Sequence, residues 1–278
     1  MAADQITQPD APDSSHERPW TAPVELGRRR ALIIESVVVL GLSLGKSMIY
    51  SILSIIEKLT RSTPLNQQTT TMNSSVTPDR SWLDFLYQLA GNLFPFFVPA
   101  LCLYLVWQVR PGINRPFRAL GMDGERKGFD IAWGFGAAAA IGIPGLGLYL
   151  LARQIGINTN VAPGNLTAVW WAIPMYCLAA FMNGVLEEVV MIGYLFLRWR
   201  QAGGKDWTII VVSALIRGGY HLYQGFGGFI GNAIMGVAFG YFYKRTGRLW
   251  PLIIAHTLLD IVSFVGFSLL RDVLPWLG

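Results

Sequence analysis

Apolar residues dominate this chain in seven long blocks, separated by shorter polar segments: Ala31 to Ile56, Leu83 to Trp107, Phe129 to Leu151, Thr167 to Leu197, Trp207 to Tyr223, Phe226 to Phe242 and Trp250 to Leu270. About 20 residues rising about 1.5 Å each cross the hydrocarbon of a bilayer. An open sheet edge cannot face lipid, and no β pattern is visible, so each block predicts a helix. The expected fold is therefore all-α, a polytopic membrane helix bundle of seven transmembrane helices. An eighth crossing arises only if the last segment is broken. The fourth block, about 46 Å long as a helix, exceeds a straight crossing and predicts a tilt or a protruding end.

The polar segments set the organisation. Residues 1–27 are rich in Pro, Asp, Ser and Thr without an apolar core, which predicts a disordered tail rather than a signal peptide or a span. Residues 28–166 then hold three amino-terminal transmembrane helices, and residues 167–278 a helical core. Of the 22 Lys and Arg, 15 fall before the first block, up to Arg30, and in every second connection, against 5 in the alternate ones. That alternation predicts a multi-pass protein of the cell membrane with a cytoplasmic amino terminus. It also removes nucleic acid as the meaning of the +5 charge, because the basic residues are spread over membrane turns. With 53% hydrophobic and 14% charged residues the composition is that of an integral membrane protein, and because spans and short loops use up the 278 residues no second soluble domain is expected. Cys102 and Cys177 stand alone in different blocks and read as small buried hydrophobes. Gly236 and Gly240 form a small-xxx-small surface for close helix packing.

Three blocks carry charges that lipid does not tolerate cheaply. Glu187 and Glu188 lie in the fourth, Arg217 and His221 in the fifth, and His256 and Asp260 in the seventh. The last two pairs are spaced four apart and share a helix face. A charge near mid-membrane is costly unless paired or wetted, and marks a functional site by default. Peptide hydrolysis needs a base for water, a donor for the oxyanion and an acid for the leaving amine. Glu187 with His221, and His256 with Asp260, suit those tasks. On straight helices, Glu187 and His221 would differ in depth by about 5 Å, so a kink at Gly218-Gly219 or an inward shift of the fourth helix is expected to bring them level.

Glu187-Glu188, the His of the following helix, and His256-x-x-x-Asp260 two helices later resemble the three motifs of the CAAX-protease and bacteriocin-processing family, CPBP or Abi: EExxxR, FxxxH and HxxxN or HxxxD. The resemblance covers about Thr167 to Val265. It implies a four-helix catalytic core and an intramembrane endopeptidase, with Glu187 catalytic and Glu188 supporting it. Two positions depart from the motifs: the expected Arg is Ile192, and the expected Phe is Arg217. Arg217, one turn from His221, is expected to take over the missing guanidinium's task of holding Glu188 ionised and oriented.

The cofactor stays open between zinc and none, since two His and two or three carboxylates could form a three-ligand site, whereas HExxH is absent. The expected partners are the lipid bilayer and a membrane-associated protein or peptide substrate. Two rival functions remain: a non-proteolytic membrane scaffold or immunity protein on the same frame, and an ion-coupled transporter. Lys46 reads as a counter-ion or a snorkelling side chain, Glu35 as an interfacial group, and Asn183 and Asn232 as cavity-lining or interhelical residues. Trp107, Trp199 and Trp250 read as interfacial anchors.

Overall fold

The structure, a computed structural model, describes residues 24–109, 116–166, 168–270 and 273. The tail expected over 1–27 lies outside the described residues as far as residue 23, and the chain is already helical at Leu26. Eleven α-helices follow: α1 (Leu26–Leu42), α2 (Leu44–Leu59), α3 (Ser81–Leu93), α4 (Phe97–Val109), the short α5 (Pro116–Ala119), α6 (Lys127–Gln154), α7 (Ala172–Glu187), α8 (Leu195–Gln201), α9 (Asp206–His221), α10 (Phe226–Thr246) and α11 (Trp250–Leu270). A 3-10 turn at Phe94–Phe96, around Pro95, joins α3 to α4. A π-helical stretch, Glu188–Tyr194, joins α7 to α8.

By length and composition, five of these continuous rods can cross a bilayer: Ser81–Gln108, Lys127–Gln154, Ala172–Gln201, Phe226–Thr246 and Trp250–Leu270. The first apolar block is not one straight helix. It breaks at Ser43 into α1 and α2, bent by 50°, and counts as a sixth crossing only if the pair is one span. The difference from the expected seven is α9, whose 16 residues rise about 24 Å against about 30 Å of hydrocarbon.

The connections sort into two groups, as the charge alternation predicts. At one end β1 (Thr69–Thr71) pairs in parallel with β2 (Asn160–Ala162), with Thr69 opposite Asn160. Thr159 N–H donates to Gln224 O at 2.9 Å, which ties in the turn after α9. These two three-residue strands correct the purely helical expectation; they lie in loops between spans, where the constraint against sheet edges in lipid does not act. At the other end Val24 N–H donates to Gln201 O (3.0 Å), Leu249 N–H to Gly121 O (3.0 Å) and Trp250 Nε1 to Met122 O (2.9 Å). Arg248 there binds both Asp123 and Asp130. Gly247 ends α10 in the left-handed region at φ +59°, a conformation glycine adopts without cost.

Small residues decide which helices touch. A Cβ on Gly236 would lie 2.8 Å from Ala214 Cα, and one on Gly218 2.7 Å from Phe229 O, so α9 and α10 meet backbone to backbone. Gly184 does the same for α7 and α11, where a Cβ would lie 2.6 Å from Thr257 Oγ1 and 3.1 Å from Ile253 O. Two apolar clusters result. The larger joins α4, the π stretch, α8, α9, α10 and α11 around Phe196, Ile210, Phe239 and Leu252. The smaller holds Trp171, Tyr176 and Phe264. Along α7 and α11 the ionisable residues fall between these two clusters.

Candidate active site

Close contact between α7 and α11 places Glu188 beside His256, and close contact between α9 and α10 presses Arg217 inward. Glu188 is fully buried. Its Oε1 accepts from Arg217 Nη2 at 2.7 Å and from His256 Nδ1 at 2.7 Å. The Arg217 guanidinium lies over the Phe239 ring, 5.6 Å from its centroid, and its Nη1 is 3.6 Å from Glu187 Oε2. One guanidinium thus bridges both acids, and the contact expected between Arg217 and Glu188 is present. Ile192, at the position of the motif's Arg, is buried among apolar side chains.

Glu187 differs from its neighbour. Its Oε2 accepts from the Tyr220 hydroxyl at 2.6 Å, but none of these bonds engages Oε1. It retains 8% exposure where Glu188 has none. His221, the last residue of α9, directs Nδ1 to the Arg217 carbonyl at 3.0 Å. A carbonyl only accepts, so Nδ1 carries the proton of that bond and Nε2 is left with its lone pair. Tyr220, whose hydroxyl reaches Glu187, has its ring centroid 4.7 Å from that of His221, so the depth mismatch of straight helices does not survive in the bundle. Three carboxylates, Glu187, Glu188 and Asp260, face one guanidinium, and His256, bonded through Nδ1 to Glu188, is the imidazole placed to supply further positive charge.

Two expected pairs stand without a direct hydrogen bond. His256 does not bond Asp260, because Nε2 and Oδ1 are 3.9 Å apart; its partner is Glu188. Asp260 Oδ2 instead accepts from Asn183 Nδ2 at 2.9 Å, which makes Asn183 both interhelical and part of the cluster. Nor is Glu187 hydrogen-bonded to His221; its partner is Tyr220. Helix spacing identifies residues that share a face, whereas these bonds cross between helices and follow from packing.

Other polar residues fall outside the cluster. Glu35 is not a free interfacial group: its Oε1 accepts from Tyr194 Oη at 2.5 Å and Arg198 Nε at 2.8 Å, which tethers α1 to α8. Lys46 is exposed, with its ammonium 5.8 Å from the Tyr50 ring centroid and no acid as partner among the described residues. Asn232 bonds the Gly228 carbonyl of its own helix at 3.0 Å. Cys102 is buried and Cys177 half-buried, both as free thiols. Tyr220 is the participant that spacing did not reveal. A signal was present, since a tyrosine inside an apolar helix needs a partner for its hydroxyl and Tyr220 adjoins His221.

A metal does not fit this donor set. The Arg217 guanidinium already spans both glutamates, so a divalent ion would share them with a fixed positive charge at contact distance. Among the described residues no group of three or more His, Cys, Asp or Glu is arranged to hold one.

A helical membrane bundle with a buried cluster of acids, imidazoles and one guanidinium has the make-up of a membrane-embedded enzyme or ion carrier. The sequence comparison favours the first of these classes. Residues 169–262 match the family model described as Rce1-like, type II CAAX prenyl endopeptidase Rce1-like. The matched stretch runs through α7 to α11, about a third of the chain, and is similar there to the CPBP, or CAAX protease, family. Searches of curated proteins and of solved structures found no match.

Proposed function

We propose that this protein is an intramembrane endopeptidase of the cell membrane, hydrolysing a peptide bond of a membrane-associated substrate with Glu187 as the base. It would sit with its amino terminus cytoplasmic and with α9 as a short seventh crossing. The carrying observation is the asymmetry of the two acids. Glu188 is sequestered between Arg217 and His256, whereas Glu187 has one oxygen held by Tyr220 and the other outside any of these bonds.

In this scheme Glu187 Oε1 takes a proton from water while His221 Nε2 accepts the water's second hydrogen bond. The hydroxide adds to the scissile carbonyl carbon. His256, held through Nδ1 by Glu188, presents Nε2 to the oxyanion, and at 3.9 Å Asp260 is too far to occupy that donor. Asn183 keeps Asp260 in place. The tetrahedral species collapses as Glu187 returns its proton to the leaving amine. Arg217 keeps both glutamates oriented through the cycle. Each proton and bond is accounted for by these side chains, and no step needs a metal.

The test uses the detergent-purified full chain with membrane peptides that carry or lack a prenylated carboxyl-terminal cysteine, since the matched family is described by that substrate. Glu187→Gln keeps shape but removes the base, and should lower cleavage at least about a hundredfold in a folded protein. Cleavage retained in that variant would overturn the assignment. Movement of protons or ions through proteoliposomes, with no peptide cleaved, would favour a carrier.

A further inference from the structure

The residues that follow His221 are held from outside the family-matched stretch. Tyr223, two residues on, has both backbone groups bound by side chains of α2. Its N–H donates to Ser51 Oγ at 2.6 Å, and its carbonyl accepts from Lys58 Nζ at 2.5 Å. Ser51 and Lys58 are seven residues apart on one face of α2, and both are buried. Lys58 fills its other two N–H bonds with Ser54 Oγ (3.2 Å) and Thr70 Oγ1 (2.9 Å), so all three point at neutral oxygens. The same face of α2 brings Met48 against Gly219, where a Cβ would lie 2.8 Å from its sulfur. On the far side the Tyr223 ring stacks over His221, with centroids 6.4 Å apart and planes at 23°.

We infer that Ser51 and Lys58 are positioning residues that hold His221 level with Glu187 by clamping the backbone of Tyr223. The need for such a clamp follows from α9. His221 is its last helical residue, and beyond it the chain passes through a single 3-10 turn, Leu222–Gln224, to Gly225 at φ +123°. Helix ends fray unless their last carbonyls and the chain that follows find partners. Here a cation, which also suits the negative end of a helix dipole, supplies one. The spans before residue 169 therefore contribute to the site, although no motif residue lies in them. This inference rests on the catalytic reading of His221, and its first readout does not depend on catalysis.

That readout is the rate at which diethyl pyrocarbonate modifies His221, followed by peptide mass spectrometry on the full chain in detergent. Lys58→Met keeps the aliphatic stem and removes the ammonium, and Ser51→Ala removes one hydroxyl with no change of charge. Each should raise His221 modification severalfold while leaving His256 unchanged. Ile55→Ala, a buried position between them on the same face that makes no bond to Tyr223, serves as the packing control and should not. In the cleavage assay Lys58→Met should lower kcat about tenfold to a hundredfold and Ser51→Ala about twofold to tenfold, the scales of a lost hydrogen bond to a charged and to a neutral group, with KM unchanged. In a His221→Ala background neither should lower the residual rate further. Unchanged His221 reactivity in Lys58→Met and Ser51→Ala, or an equal effect from Ile55→Ala, would overturn the inference. Cleavage surviving in Glu187→Gln would instead overturn the proposed function and leave the modification result standing.

Discussion

Replacing Arg217 by Phe restores the residue usual at that point of the family motif, yet the structure predicts that it disables the protein. The Arg217 side chain is fully buried, 2.7 Å from Glu188 and 3.6 Å from Glu187, and among the described residues no other guanidinium contacts either acid. Removing one member of a buried ion pair costs about 3–5 kcal/mol, because the partner is left uncompensated. Glu188 can limit that cost by taking up a proton, but it then no longer holds His256 Nδ1 as a charged acceptor. A loss of about 3 kcal/mol in transition-state stabilisation corresponds to more than a hundredfold in rate. Adding Ile192→Arg to Arg217→Phe returns a guanidinium from the motif's position, four residues after Glu188, into space that Arg217 has vacated. The four proteins form a cycle, measured as cleavage rate and melting temperature in one detergent, with folded yield recorded for each. Strong coupling, with the double variant faster than Arg217→Phe, is the expected result. Simple additivity, or full activity of Arg217→Phe, would refute the exchange of roles and leave Arg217 as a residue that lines the site.

Tyr220→Phe removes the hydroxyl that holds Glu187 Oε2 and should lower kcat about tenfold to a hundredfold with little change in melting temperature; an unaltered rate would show that Glu187 needs no such restraint. Gly184→Ala forces a Cβ to within 2.6 Å of Thr257 Oγ1, so α7 and α11 must part, at about 1–3 kcal/mol of stability and with loss of cleavage as Glu188 leaves His256. A folded and fully active Gly184→Ala would contradict that contact. At the basic end, burial alone would raise the Asp123 carboxyl, but its hydrogen bonds from Arg248 and the Glu125 N–H outweigh burial and hold it below the usual range. A carboxyl depressed in the folded state contributes its stability above its ordinary value of about 3.9 and loses it as pH falls through the folded value. Hydrogen exchange over residues 116–127 should therefore stay slow down to about pH 4 and rise below it, whereas Asp123→Asn should already exchange faster at pH 7.

The residues of the cluster were legible because lipid penalises charge: Glu187, Glu188, Arg217, His221, His256 and Asp260 all stand out against apolar surroundings, and each of the six makes a contact with another of them. Which group bonds which was not legible. Spacing of four places His256 and Asp260 on one face, but the partner chosen by His256 comes from α7, through an approach set by the small volume of Gly184. Glu35 was misread for the same reason, since Tyr194 and Arg198 are about 160 residues away in sequence. The break at Ser43 and the π stretch leave no mark in hydropathy, because the residues around each stay largely apolar. The clamp by Ser51 and Lys58 was hidden in an ordinary serine and a lysine at the edge of a span.

The π stretch from Glu188 to Tyr194 acts as an angular adapter. A residue added to a helix turns everything beyond it by about 100°, unless a wider turn absorbs the extra one. Here the wider turn lets one continuous rod answer to two unrelated neighbourhoods, with Glu187 and Glu188 facing α9 and α11 at one end and Tyr194 and Arg198 facing α1 at the other. Removing a single residue between Val189 and Gly193 would relax the stretch to an ordinary helix and swing the lower half out of phase. The dyad of acids could then keep its companions only if α1 lost its hold, or the reverse. Length in this segment is therefore constrained more tightly than the identity of any one of its side chains, and the two halves of the rod are free to change their partners without disturbing each other.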